Sequence, residues 1–171
     1  MSRAELLRSQ LRDAHAALEE TMEDVTQELL ERMPPGTANR IGERYVHHAT
    51  AEDSITHLFL RGSAPLMSST WLGRTGASEP RFGTDQEHAR RVRVELAPVR
   101  AYAKAVYDDS DEYVASLTEA DLDRGVDLSA AGFGQVPVWW ILSRLVIGHV
   151  YEVHGEIAAV KGVLGARGFH Y

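Results

Sequence analysis

Apolar residues recur at helical spacing along most of the chain. Ser2 and Glu5 form a capping box, and Leu6, Leu7, Leu11, Ala14, Leu18, Met22 and Val25 then follow on one stripe, which predicts a first amphipathic helix over about residues 3 to 24. Thr26 with Leu29 and Leu30 predicts one further turn before Pro34-Pro35-Gly36 forbids continuation. Thr37 or Asn39 can cap a second helix, with Ile41, Tyr45, His48, Glu52, Ile55 and Phe59 along one face and Val46, Ala49, Asp53 and Thr56 beside it; Arg61-Gly62 ends it. A third helix is marked from about residue 94 to 117 by Leu96, Val99, Tyr102, Val106, Tyr113 and Val114. Pro137 opens the fourth, whose stripe of Trp139, Trp140, Ile141, Leu145, His149, Val153, Ile157, Val160 and Leu164 runs to Gly165. It is the most apolar helix and therefore expected to be the most buried.

The segments between the helices are short, with one exception. Residues 62 to 92 show no regular period, and only Leu66, Met67, Trp71, Leu72 and Phe82 serve as apolar anchors. A loop of that length in a compact domain is usually a lid or a partner surface. Thr118 and Asp121 form another capping box, and Gly125 to Gln135 reads as a connection. Four long helices, one long crossover and no strand alternation predict an all-α chain, an antiparallel four-helix bundle with the irregular crossover between helices two and three. Its 171 residues fit one domain, 1–171, able to bury about 70% of its unfolded surface.

Composition narrows the chemistry. Cysteine is absent, so disulfides and thiolate nucleophiles are excluded and His, Asp and Glu are the only side chains left to ligate a metal. The net charge of −7 offers no basic footprint for nucleic acid, and Arg90-Arg91-Val92-Arg93 reads as a solvated helix approach. No run of 18 apolar residues and no signal-peptide core occurs. The expectation is a cytoplasmic protein with no membrane or nucleic-acid partner.

The second and fourth helices carry histidines and carboxylates among their apolar positions, and a buried helix tolerates these only if they are hydrogen-bonded, paired or metal-bound. On a helix, His149 and Val153 share a face, whereas His154 is turned about 140° from His149. His149 and His154 are therefore not a one-turn ligand pair.

The ordered set PPGTANRIG from Pro34 to Gly42, Tyr45-Val46-His47, Ala51-Glu52-Asp53, Gly62-Ser63-Ala64-Pro65-Leu66, LTEADLDR from Leu117 to Arg124, Ile147-Gly148-His149 and GEIAAVKG from Gly155 to Gly162 resembles the DinB-like superfamily over about residues 3 to 168. No one of these motifs is specific by itself; their order is. The resemblance implies a four-helix bundle, usually a homodimer, with a divalent metal, Zn²⁺ or Ni²⁺, held by three histidines. It places the first ligand on His47, with His48 as the register alternative, and the second on His149. The third position falls on Val153, which cannot coordinate, so Glu152 or His154 is the candidate replacement. His15 is expected as a polar neighbour of the site, Tyr45 and Tyr151 as flanking phenols, Trp139 and Trp140 as packing residues, and His57, His88 and His170 at the surface.

Two functions fit these residues. One is a metal-dependent transferase or hydrolase using a low-molecular-weight thiol of the mycothiol or bacillithiol type, as some relatives do. The other is a dimeric, non-catalytic bundle that has lost its metal and binds a small ligand under the 62–92 segment, a reading that Val153 favours.

Overall fold

A computed structural model of the protein describes residues 1–169; His170 lies outside them. Helix α1, Arg3–Met22, begins at the Ser2 hydroxyl, which accepts from the Glu5 amide while the Glu5 carboxylate accepts from the Ser2 amide. The short α2, Gln27–Glu31, is capped by Thr26. Helix α3, Ile41–Ser54, runs directly into a π-helical stretch, Ile55–Arg61, which stops where Gly62 takes a left-handed φ of 66°. A 3₁₀ turn at Leu66–Ser68 and helix α4, Gln86–Arg91, interrupt the following segment. Then come α5, Leu96–Ser116, and α6, Glu119–Asp123, opened by the Thr118–Asp121 capping box. Strands β1, Gly125–Leu128, and β2, Gly134–Pro137, precede α7, Val138–Ile141, a second π-helical stretch, Leu142–Ile147, and α8, Gly148–Val163.

The architecture is mostly helical, as the periodicity predicts. Helix α1 packs against α5 and α8, and α3 packs against the same two. Leu11, Leu18, Ile41, Tyr45, Val106, Val153 and Val160 lie in the core between them. None of the helices among the described residues is long and apolar enough to cross a membrane.

The structure corrects the sequence reading at several points. The second long helix starts one or more residues later than either expected cap, behind Arg40. That side chain is 2% exposed and donates to the carbonyls of Ala89, Arg90 and Val92 and to Glu31. The helix start is thus fixed by a long-range clamp rather than by a local capping hydroxyl. Residues 125–137 are not a plain connection but an antiparallel hairpin pairing Val126 with Val136, with Val126 and Leu128 turned inward. Its turn depends on left-handed φ values at Gly132 and Gly134. Tyr113 and Leu145, expected in the core, are only partly buried, and Trp139 is exposed.

His57 and His88, expected at the surface, are buried. His57 Nδ1 lies 3.0 Å from Asp53 Oδ1, and His88 Nε2 bonds the Glu79 carbonyl at 2.9 Å. Asp53 also accepts from the Leu66 and Met67 amides at 2.8 and 2.9 Å and from the Tyr102 hydroxyl at 2.7 Å. One buried carboxylate therefore pins the start of the long crossover to α3 and α5.

Candidate functional site

On α3, His48 and Glu52 are one turn apart and face inward together. Both are almost fully buried. From α1, His15 donates through Nε2 to Glu52 Oε2 at 2.8 Å, and His48 Nε2 lies 3.8 Å from the same oxygen. His15, His48 and Glu52 each offer a ligand atom, and these atoms lie within 4.8 Å of one another. The Tyr107 ring from α5 stacks on His15 with centroids 3.8 Å apart. Its hydroxyl and that of Tyr45 both donate to Glu19.

A second group lies in front of this one. His47 on α3 and His149 on α8 meet edge to face with ring centres 5.1 Å apart, and His149 is 6.5 Å from His48. Glu152 Oε2 is 3.7 Å from His149 Nδ1. The carboxylate therefore faces one ring nitrogen while the other, Nε2, is buried without a partner. His47 Nδ1, both nitrogens of His48 and Glu52 Oε1 are likewise buried and unpartnered among the described residues.

Burial sets the protonation of this layer. It lowers His48 to about 3, against the opposing attraction of Glu52, and His47 to about 4, with Arg44 adding repulsion. His149 is also lowered by burial, partly offset by Glu152. Burial works to raise the Glu52 carboxyl, but the charge and hydrogen bond of His15 outweigh it and Glu52 sits below its ordinary value. At neutral pH His47, His48 and His149 are neutral beside the Glu52 carboxylate, the protonation state that binding a cation requires.

His47, His149 and Glu152 open onto a pocket of about 430 Å³. Apart from Arg144, its other side-chain walls are apolar, with Ile55 and Phe59 from the first π-helical stretch, Leu145 from the second, and Phe82 and Phe133 from the crossover and the hairpin. π turns cluster at functional sites because the extra residue re-aims side chains out of the helical register. Here both π stretches border the one cavity.

Of the two candidates for a third ligand, Glu152 lies beside His149, whereas His154 does not. His154 bonds Thr21 Oγ1 at 2.8 Å and meets Phe169 edge-on. Val153 is buried in the core one turn after His149. His15 and His48 enter more deeply than the sequence implied, since the pairing of His15 with Glu52 bridges 37 positions. Arg144, which also lines the pocket, carries no sequence signal beyond being a cation on an apolar helix.

Residues 10–156, most of the chain, match the DinB superfamily. The chain belongs to that superfamily. The crystal structure of a conserved protein from Enterococcus faecalis superposes on this DinB chain with a TM-score of 0.79 at 23% identity, covering 96% of this chain and 99% of that one. At that identity the likeness concerns the fold alone. No curated protein matches this DinB member.

Proposed function

We propose that the protein is a divalent-metal-dependent enzyme that carries out transfer or hydrolysis on a small, largely apolar molecule, with a low-molecular-weight thiol of the mycothiol type as co-substrate. The observation that carries this reading is the layer of buried, neutral, unpartnered imidazoles around Glu52 at the end of an apolar pocket. Buried polar atoms are nearly always satisfied, so five such atoms in one layer mark a place built for something else.

The donor set fits a Zn²⁺- or Ni²⁺-sized ion, since imidazoles and one carboxylate suit both. His15, His48 and Glu52 would hold it, and a bound ion would supply Lewis-acid polarisation of water or thiol. The chain's own residues do the rest. Glu152 Oε2 lies 3.7 Å from His149 Nδ1; with the proton drawn to that nitrogen, Nε2 would act as the acceptor for a substrate proton. His47, neutral at working pH, lies against it.

A second reading keeps the ion between His47 and His149 with Glu152 as third donor. Two imidazoles each about 2 Å from one zinc ion place their ring centres roughly 5 Å apart, and these rings stand at 5.1 Å. Elemental analysis of untagged protein tests the proposal. A stoichiometric ion lost in His48→Ala and Glu52→Ala, and retained in His47→Ala, supports the buried triad; loss in His47→Ala and His149→Ala with retention in Glu52→Ala supports the pair. A folded protein that takes up no ion from Zn²⁺ or Ni²⁺ solution refutes both and leaves a ligand-binding protein without catalysis.

The reading extends to assembly. The contact ring of α1, α5, α3 and α8 supports an antiparallel four-helix bundle, and Phe133 and Trp139, both exposed, favour a homodimer formed beside the hairpin. Sedimentation equilibrium giving twice 19.0 kDa at micromolar concentration is the expected outcome; a monomer there overturns it.

A further inference from the structure

The pocket in front of the histidine layer is lined by two unlike polar groups. His149, with Glu152 beside it, forms one. Arg144 forms the other, five residues earlier on the same continuous helix, roughly 6–8 Å along the axis. Between them the walls are Ile55, Phe59, Phe82, Phe133 and Leu145. Arg144 has no carboxylate, carbonyl or aromatic partner among the described residues, although most other arginines of this chain are paired with an acidic side chain or a carbonyl. Arg40, Arg44, Arg61, Arg91 and Arg124 illustrate the pattern. A guanidinium presents its donors in a fork matched to a carboxylate, so an unpaired one lining an apolar cavity is a ready anchor for an anionic ligand.

We propose that the pocket takes an amphipathic organic carboxylate, with its carboxylate on Arg144 and its apolar body along the aromatic walls, so that the far end reaches His149 and His47. The volume suits a ligand of roughly ten to fifteen heavy atoms, at the small end of the range for binding cavities. The lining thus combines one cation, a stretch of hydrocarbon and neutral imidazoles. Glu152 repels a second carboxylate at that far end, which selects a monoacid over a symmetric diacid. This names the substrate class for the reaction proposed above, but the recognition needs only Arg144 and the apolar walls, not the ion.

Calorimetric titration of untagged, chelator-treated protein with 4-phenylbutyrate and with 4-phenyl-1-butanol separates the terms. The carboxylate is expected to bind roughly five- to tenfold tighter than the alcohol, as one charge-assisted contact at a partly exposed site provides. Arg144→Gln should abolish that preference while leaving the alcohol's affinity unchanged, and Arg144→Lys should restore part of it. Raising the salt concentration should narrow the gap in the wild type only. Equal binding of the two probes, binding of neither, or a preference that survives Arg144→Gln in metal-free protein would overturn the proposal. A preference that appears only after Zn²⁺ is added and persists in Arg144→Gln would place the carboxylate on the ion instead, which sinks this inference while supporting the metal reading.

Discussion

Asp53→Asn should be among the most destabilising single-atom changes in this protein, and the size follows from its hydrogen bonds. The carboxylate takes the Leu66 amide on one oxygen, and the Met67 amide and the Tyr102 hydroxyl on the other, all within 2.9 Å, while His57 Nδ1, bonded to the Asp53 carbonyl, lies 3.0 Å from the first oxygen. An asparagine turns one of those oxygens into a donor. The better orientation puts the NH₂ beside Tyr102, whose hydroxyl can switch to accepting, and this strands the Met67 amide. A stranded buried donor costs about 1–3 kcal/mol, and losing the charge assistance on the remaining bonds adds about 0.5–1 kcal/mol. The total is about 2–4 kcal/mol, and for a chain of this length each kcal/mol lowers Tm by about 2–4 °C. Urea unfolding gives the free energy, and amide exchange at Leu66 and Met67 localises it. A loss below about 1 kcal/mol, or unchanged protection at both amides, would refute the claim that this carboxylate holds the crossover.

The histidine layer yields three more expectations. Zn²⁺ at a hundredfold excess over its dissociation constant should add about 2.7 kcal/mol to the wild type, seen as a rise in Tm that Glu52→Ala removes; no rise in either protein counts against the site. In metal-stripped protein, His48 has a folded pKa of about 3 against an ordinary 6.5, so the unfolded chain takes up its proton first. Stability is then fullest above pH 6.5 and falls as the pH drops toward 3, by up to about 1.4 kcal/mol per pH unit from this residue; urea unfolding at pH 7.5, 6 and 5 should show a shallower decline in His48→Gln. Val153→His should place a second imidazole one turn after His149, raising Zn²⁺ affinity in calorimetry while lowering metal-free stability by about 1–3 kcal/mol through a polar ring in the core; unchanged affinity would mean that this face does not look onto the ion.

What was legible in the sequence is what is determined locally. The Ser2–Glu5 and Thr118–Asp121 boxes fix helix starts through residues three apart, and both are formed; the further turn expected at Thr26 is formed as well. Helical period likewise located the four long helices and most of their core. The features missed depend on distant partners. Arg40 sets the start of α3 by reaching carbonyls some fifty positions away. His57 and His88 look like surface residues until Asp53 and the Glu79 carbonyl are brought to them. The hairpin's strands of four residues are too short for alternation to announce. The π stretches carry no composition signal, because the extra residue is accommodated by packing against the pocket rather than by any local preference. The same division holds for the site: His47, His149, His48 and Glu152 were visible as residues on two helices, whereas the pairing of His15 with Glu52 and the position of Arg144 in the pocket lining exist only in the folded chain.

Glu52 and Asp53 show how one helix serves stability and chemistry at the same time. They are neighbours, both almost fully buried, and the turn of about 100° between them points them at different partners. Asp53 is satisfied on both oxygens and ties the crossover to α3 and α5. Glu52 bonds His15 through Oε2, while its Oε1, both ring nitrogens of His48, His47 Nδ1 and His149 Nε2 are buried without a hydrogen-bond partner among the described residues. Of the eight buried side-chain atoms left without a partner among the described residues, five belong to His47, His48, Glu52 and His149. A chain able to saturate Asp53 with two amides and a phenol is not short of donors, and each unpaired buried atom costs free energy that selection for stability alone would remove. Their gathering beside one pocket is the pattern expected where local stability has been given up for binding.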